Sequence, residues 1–267
     1  VADALVQQWL DRLGYGGPTD PRREVLDALA LHHVRAVPFE NLDPWLSRPV
    51  HLEPEAVVAK LTAGRGGYCF ELNGLALEAL TRLGFRVTPL SARVFAGRAR
   101  DFVPPRTHLV LRVDLPGGPC LFDVGVGAHS PTAALRWEAD LEQATPHDRR
   151  RFVCVGGLWF HQVAQGEAWV DVCAFTGEEM PPIDRIVGNW YTSTHPDSNF
   201  RRRLVVARAT ATGRLHVLNR RLRERAGDGT LLREVVYPDA DALRDALARE
   251  FGLRVPDGPL PFPPDEA

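Results

Sequence analysis

Residues 65–95 read RGGYCFELNGLALEALTRLGFRVTPLSARVF, and the apolar spacing changes in the middle of that stretch. Leu72, Leu75, Ala76, Ala79, Leu80 and Leu83 recur three and four apart, the period of a helix over residues 69–83, and Gly84 ends it. From Arg86 the period falls to two, and residues 87–90 and 92–95 read as strands. A helical block therefore gives way to a β block near residue 85.

The pattern extends in both directions. Upstream, Leu5, Trp9 and Leu13 mark one helix, stopped at Gly14. Asp20 as N-cap and Pro21 at the first helical position open a second through Val25, Leu29 and His33. A third spans residues 54–61. Downstream, residues 107–113, 121–124, 152–155, 159–163 and 168–173 alternate as strands. The last third mixes strands (204–209, 214–219, 231–237) with a helix over 239–251, then a Pro-rich extended tail after Val255. The order is α+β, without the alternation of a dinucleotide-binding fold.

The 267 residues are 45% hydrophobic, enough for a substantial core. A net charge of −2 gives no global attraction for nucleic acid or anionic membrane, and Lys60 is the only lysine. Cysteines stand at 69, 120, 154 and 173, too far apart for a CxxC redox or zinc motif and too few for a disulfide framework, which fits a reducing compartment. The first residues are amphipathic and acidic, unlike a signal peptide, and no apolar run approaches a membrane span, so a cytoplasmic protein is expected. Without HExxH or a His/Cys pair at metal spacing, no metal is called for.

Cys69 follows Gly66-Gly67 and falls on the first residues of its helix, where free amide N–H groups stabilise a thiolate and can hold an oxyanion. A small buried core residue is the competing reading. A base and its orienter are found in the β block. His108 lies on the face of its strand opposite Thr107, Leu109, Leu111 and Val113. A four-residue loop centred between Pro116 and Gly117 sets His108 opposite Gly125, with Asp123 diagonal to it and on the same face, about 7–8 Å away between Cα atoms. A loop shifted by one half-step reverses that face. Gly125 and Gly127 allow close approach of backbone or ligand.

With these residues placed, the chain resembles the arylamine N-acetyltransferase family. The resemblance rests on Pro38-Phe39-Glu40-Asn41-Leu42, residues 65–73, Thr107-His108-Leu109, Asp123-Val124-Gly125 and Asn189-Trp190-Tyr191-Thr192-Ser193-Thr194, in family order to about residue 200. It implies an N-terminal helical domain (1–85), a central β-barrel (86–195) and a C-terminal α/β lid (196–267), around a papain-like, cysteine-proteinase-like core. It implies Cys69 as nucleophile, His108 as base and Asp123 as orienter in a ping-pong transfer of acetyl from acetyl-CoA to a primary arylamine or arylhydrazine. Phe39 and Phe70 would flank the pocket, Val94 would lie near the amine, and Thr107, Gly125 and Gly127 would meet CoA. Val126 departs from the family's usual phenylalanine, which should loosen the acceptor pocket, and Pro104-Pro105 differs from a Gly-containing segment of some members. Glu40 and Arg65 are expected to pair beneath the nucleophile turn. A transglutaminase-like cysteine hydrolase, an amide synthase of secondary metabolism and a non-catalytic binding module are the competing classes.

Overall fold

Asp3 accepts hydrogen bonds from the amides of Leu5 and Val6 and so starts α1 (Ala4–Leu13), whose buried face is Leu5, Val6, Trp9, Leu10 and Leu13. These coordinates are a computed structural model that describes residues 3–263. The remaining helices of the first block are α2 (Arg23–Ala36), α3 (Leu42–Trp45), α4 (Pro54–Thr62) and α5 (Cys69–Arg82), with a two-residue strand β1 (Phe39–Glu40) before α3. The second helix begins later than Asp20-Pro21 suggests. The Asp20 carboxylate pairs with Arg22 at 3.0 Å instead of capping, and Arg22 takes the N-cap position. The end of the Pro-rich tail, residues 264–267, lies outside the described residues.

The β block is one antiparallel sheet of β2 (Arg86–Val94), β3 (His108–Leu115), β4 (Gly118–Phe122), β5 (Leu135–Arg136), β6 (Gln143–Ala144), β7 (Arg149–Val155), β8 (Leu158–Gln165) and β9 (Ala168–Glu179), ordered β5-β4-β3-β2-β9-β8-β7-β6. The expected strands 87–90 and 92–95 are one strand, with its irregularity against β9 falling between Leu90 and Ala92. The two sheet edges meet. Gln143 on β6 accepts from the amide of Arg136 on β5 at 2.7 Å and donates to its carbonyl at 3.0 Å, so the sheet is a nearly closed barrel. Leu90, Ala92, Val110, Leu121, Phe152, Cys173 and Phe175 fill its interior. The other face of β3 (Leu109, Leu111, Val113) packs on the helices, so alternation along one strand serves two cores.

After β9 come α6 (Pro182–Thr194) and α7 (Asn199–Arg202), then β10 (Val205–Ala209), β11 (Gly213–Leu218), β12 (Arg221–Ala226), β13 (Leu231–Val236) and α8 (Ala240–Phe251). The helix α6 is an addition to the expected elements: Ile183, Ile186, Val187 and Trp190 recur at helical spacing, and in the structure they face outward. The C-terminal sheet is ordered β1-β10-β11-β12-β13 and packs on α8 through Val206, Leu215, Val217, Leu222, Leu243, Leu247 and Phe251. Its edge strand β1 comes from the helical block, so the chain's first and last thirds share a sheet. Asn41 secures that join, donating to the carbonyls of Phe200 and Arg203 and accepting from the amide of Val205.

Glu40 is fully buried where β1 meets the turn before α5. Its carboxylate takes the Arg65 guanidinium at 2.8 Å and the amides of Leu42 and Gly66. The expected Glu40–Arg65 pair is thus present, but inside a larger cluster. Asp43 bridges Arg65 at 3.0 Å and Lys60 at 2.6 Å, and Lys60 reaches Glu71 at 2.6 Å. Three carboxylates share two cations. Burial, with Glu40 and Asp43 nearby, outweighs Lys60 at Glu71 and lifts its carboxyl to about 7. Gly66 is needed here for packing: a Cβ would lie 1.9 Å from the Pro38 carbonyl oxygen, so only glycine lets the two segments touch. Arg65→Met leaves Glu40 and Asp43 short of a partner and is expected to cost about 3–5 kcal/mol. Urea unfolding checks this; a change within error would mean the cluster carries no stability.

Candidate active site

Cys69 is the first residue of α5 and is buried, with its thiol 3.6 Å from the Thr107 carbonyl. The turn before it is held by Glu71, whose carboxylate accepts from the Tyr68 amide at 3.1 Å and so satisfies one of the donors at the helix start. The Tyr68 hydroxyl donates to the Asn189 side-chain oxygen, which ties α6 to the same turn. Gly125 closes on Cys69 from the barrel side, where a Cβ would stand 2.7 Å from the Cys69 Cα. The close backbone approach expected of Gly125 is therefore made to the cysteine's own main chain.

The β3–β4 hairpin has the expected register. Leu111 pairs with Phe122 and Leu115 with Gly118, so the connection is Pro116-Gly117 and the same ladder continued sets His108 opposite Gly125. His108 and Asp123 are both buried, and His108 Nε2 meets Asp123 Oδ2 at 2.8 Å. With Nε2 committed, Nδ1 is the nitrogen left to serve the Cys69 thiol, which lies 3.6 Å from the carbonyl of Thr107, the residue before His108. Burial alone would lower the imidazole's pKa. The Asp123 charge and hydrogen bond, together with Cys69, override it and raise the ring to about 10. Burial likewise opposes the Asp123 charge, but His108, Asn73 and the Gly125 amide hold that carboxyl below its usual range.

Asn73 is the side chain that sequence reasoning passed over. It lies one turn after Cys69 on the same face of α5, a spacing that could have drawn attention to it. Its amide nitrogen donates to Asp123 Oδ1 at 2.8 Å and to the Leu109 carbonyl at 2.6 Å, and its oxygen accepts from the Val124 amide at 2.9 Å. Cys173 was unpredictable in another way. It lies on β9, yet its sulfur comes within 4.8 Å of ligating atoms of both His108 and Asp123. Ala92 pairs with His108 and Val94 with Cys173, and the small Ala92 side chain lets the two groups meet across β2. Only the barrel's strand order brings them together.

The other expected residues are spread around this centre. Val94 and Val126 pack together with Val163 and Val172 inside the barrel. Phe39 lies edge-on to Phe200, with Gly127 against its ring. Phe70 is buried against Tyr68 and Gly188. A cleft of about 330 Å³ runs between the barrel and α6, lined by Thr107, Met180, Asp184, Val187, Gly188 and Tyr191 among others. Thr107 is the one expected contact residue that lines it, and its carbonyl leads from the cleft to the Cys69 thiol.

The N-acetyltransferase family profile matches residues 23–259. An arylamine N-acetyltransferase of Mycobacterium tuberculosis is 41% identical over 254 residues, covering 93% of this chain and 89% of its own. The chain belongs to the arylamine N-acetyltransferase family. The solved structure of the M. tuberculosis family member superposes with a TM-score of 0.89 at 40% identity, over 94% of both chains. That of the Mycobacterium marinum enzyme in complex with CoA has a TM-score of 0.89 at 38% identity, covering 94% of this chain and 93% of that one. The helical block, the nearly closed eight-stranded barrel and the C-terminal sheet with its helix are thus the family's fold.

The His108–Asp123 pair makes stability depend on pH with a definite sign. A histidine whose folded pKa is raised from 6.5 to about 10 contributes stability that is full below pH 6.5 and is lost as pH rises through 10. The gap in unfolding free energy between the wild-type protein and His108→Gln should therefore narrow steadily from pH 6.5 to 10. Urea titrations across that range measure it, and a constant gap would show that the ring is not charged in the fold.

Proposed function

We propose that this chain transfers an acetyl group from acetyl-CoA to the amino group of a primary arylamine or arylhydrazine, carrying it on Cys69. The observation that supports this most directly is the Cys69 thiol at the start of α5, 3.6 Å from the carbonyl of Thr107, the residue before a His108 whose ring is held 2.8 Å from Asp123. That the chain is 41% identical to an arylamine N-acetyltransferase adds the reaction class. The CoA complex of the M. marinum relative supports CoA as the acyl carrier here.

The proton inventory of such a site is simple. At neutral pH His108 is an imidazolium with Asp123 as its counter-ion, and the nucleophile of the reaction is the thiolate form of Cys69. The thiolate attacks the acetyl-CoA thioester, and the departing CoA sulfur takes the proton from His108. One thioester replaces another, so this half-reaction needs little driving force. His108 is now neutral. It accepts a proton from the amine as the nitrogen adds to acetyl-Cys69, and the cysteine leaves as thiolate, which restores the ion pair. In this reading the free amides at the start of α5 would hold the oxyanion, typically worth roughly 3 kcal/mol per donor.

In this reading the 330 Å³ cleft beside Thr107 is a route to the thiol, and Phe39, Phe70, Val94 and Val126 shape the acceptor side. Valine at 126 leaves one aromatic wall fewer for a flat amine. Thr107, Gly125 and Gly127 are the proposed CoA contacts. The three units 1–85, 86–195 and 196–267 carry nucleophile, base pair and cover respectively. Four unpaired cysteines agree with a cytoplasmic setting, and no described helix is long and apolar enough to cross a membrane.

Mixed with acetyl-CoA alone, the protein should gain one acetyl group that peptide mapping places on Cys69, and Cys69→Ala should gain none. Rapid loss of that adduct without an amine would favour a hydrolase instead. Asp123→Asn keeps the shape but presents an amide to the ring, so transfer should fall by roughly three to four orders of magnitude at normal melting temperature. A fall of less than about tenfold would mean that another group orients His108.

A further inference from the structure

Arg150 is an arginine with no exposure at all, set in the barrel wall on β7. Its guanidinium grips Asp148 at 2.5 and 2.8 Å and donates to the His129 carbonyl at 2.7 Å. The same Nη1 also reaches His161 Nε2 at 3.0 Å. Guanidinium has hydrogens only to give, so His161 Nε2 must accept, and the ring's own proton is on Nδ1. Nδ1 faces the Cys173 sulfur at 3.9 Å. The direction of donation is therefore fixed from one end: arginine to histidine, then histidine to thiol. Cys173 is left with its S–H to give, and its sulfur lies within 4.8 Å of the His108 and Asp123 ligating atoms. On that pair one acceptor site is open. Asp123 Oδ1 already takes Asn73 and the Gly125 amide, whereas Oδ2 has a partner only in His108.

We propose that Cys173 is a positioning residue for the acyl transfer, its S–H oriented by His161 and Arg150 so that the thiol dipole points at the Asp123 carboxylate from the barrel side, across from the Asn73 that holds it from α5. This rests on the reading of His108 and Asp123 given above. Burial keeps the Cys173 thiol protonated, with the Asp123 charge acting in the same direction. The two thiols near His108 thus have opposite tasks: Cys69, at a helix start, gives up its proton, whereas Cys173, in a strand interior, keeps it. A thiol dipole turned toward Asp123 offsets part of its charge and moderates its hold on the imidazolium.

The test removes the donor at constant shape. Cys173→Val has no proton to give, so Asp123 should hold the His108 proton to higher pH. The pH at which Cys69 alkylation by iodoacetamide changes rate, followed by peptide mapping, should rise by roughly half to one unit. The alkaline limb of kcat/KM for acetyl transfer should rise with it. Cys173→Ser, which keeps a donor, should leave both where the wild-type protein has them. Cys173→Ala gives the same reading where valine does not fold, and melting temperatures separate packing losses from the pH shift. An unmoved transition in the valine and alanine variants overturns the proposal, as does a serine variant that shifts as far as valine. On a His108→Gln background the thiol keeps an ionisation of its own, but Cys173→Val should no longer move the transition. A valine shift that persists there would overturn the His108 assignment itself, and is thereby distinguished from a failure at Cys173.

Discussion

Asn73 joins the two halves of the site, and little of the rest would hold without it. One amide side chain bridges the Leu109 carbonyl, the Asp123 carboxylate and the Val124 amide. Because Asn73 is on α5 with Cys69, and its three partners are on or just after the β3–β4 hairpin, every hydrogen bond it makes sets the cysteine's helix against the strand that bears His108. All of these groups are buried, so each unmade bond would leave a desolvated polar atom costing about 1–3 kcal/mol. The helix position is thereby fixed to within hydrogen-bond tolerance, which is what contact between a thiol and a ring nitrogen requires.

Beneath this join lies the charge cluster of Glu40, Asp43, Lys60, Arg65 and Glu71. It does a different job. Its members come from β1, α3, α4, the turn before α5 and α5 itself, so it draws the segments around the cysteine together without touching the thiol. With three acids on two bases, one negative charge is in excess, and Glu71 at the helix start is where burial makes it most costly. The same Glu71 accepts the Tyr68 amide, so the residue that orders the helix start is also the one whose charge is least secure.

The barrel contributes a second polar layer. Its interior is mostly apolar, but Arg150, Asp148 and His161 cross it as a connected network, with Arg214 on the C-terminal sheet adding a further bond to Asp148 at 2.8 Å. A charged pair this deep is tolerable because each guanidinium hydrogen has an acceptor and each carboxylate oxygen a donor. The network ends at Cys173 and so relates the C-terminal sheet to the environment of Asp123. Strand order matters here: were β9 not two strands from β3, with only Ala92 between, the thiol could not approach the ring.

Sequence alone determined the elements and part of the site. Periods of 3.6 and 2 arise from local backbone geometry, so α1, α5 and the β3–β4 hairpin were legible in the spacing of Leu72 to Leu83 and of Thr107 to Val113. The hairpin's short turn fixed its register, and register placed Asp123 by His108, because both lie within one local ladder. The family motifs added Cys69 to that pair. Contacts between distant segments were decided by the tertiary structure. Cys173 approaches His108 only through the order β3-β2-β9, Glu71 and Lys60 join the Glu40–Arg65 pair only once α4 and α5 are packed, and the apolar face of α6 turns outward and not into the core. The reason is physical: side-chain periodicity reports which face of an element is buried, but carries no record of which other element covers it.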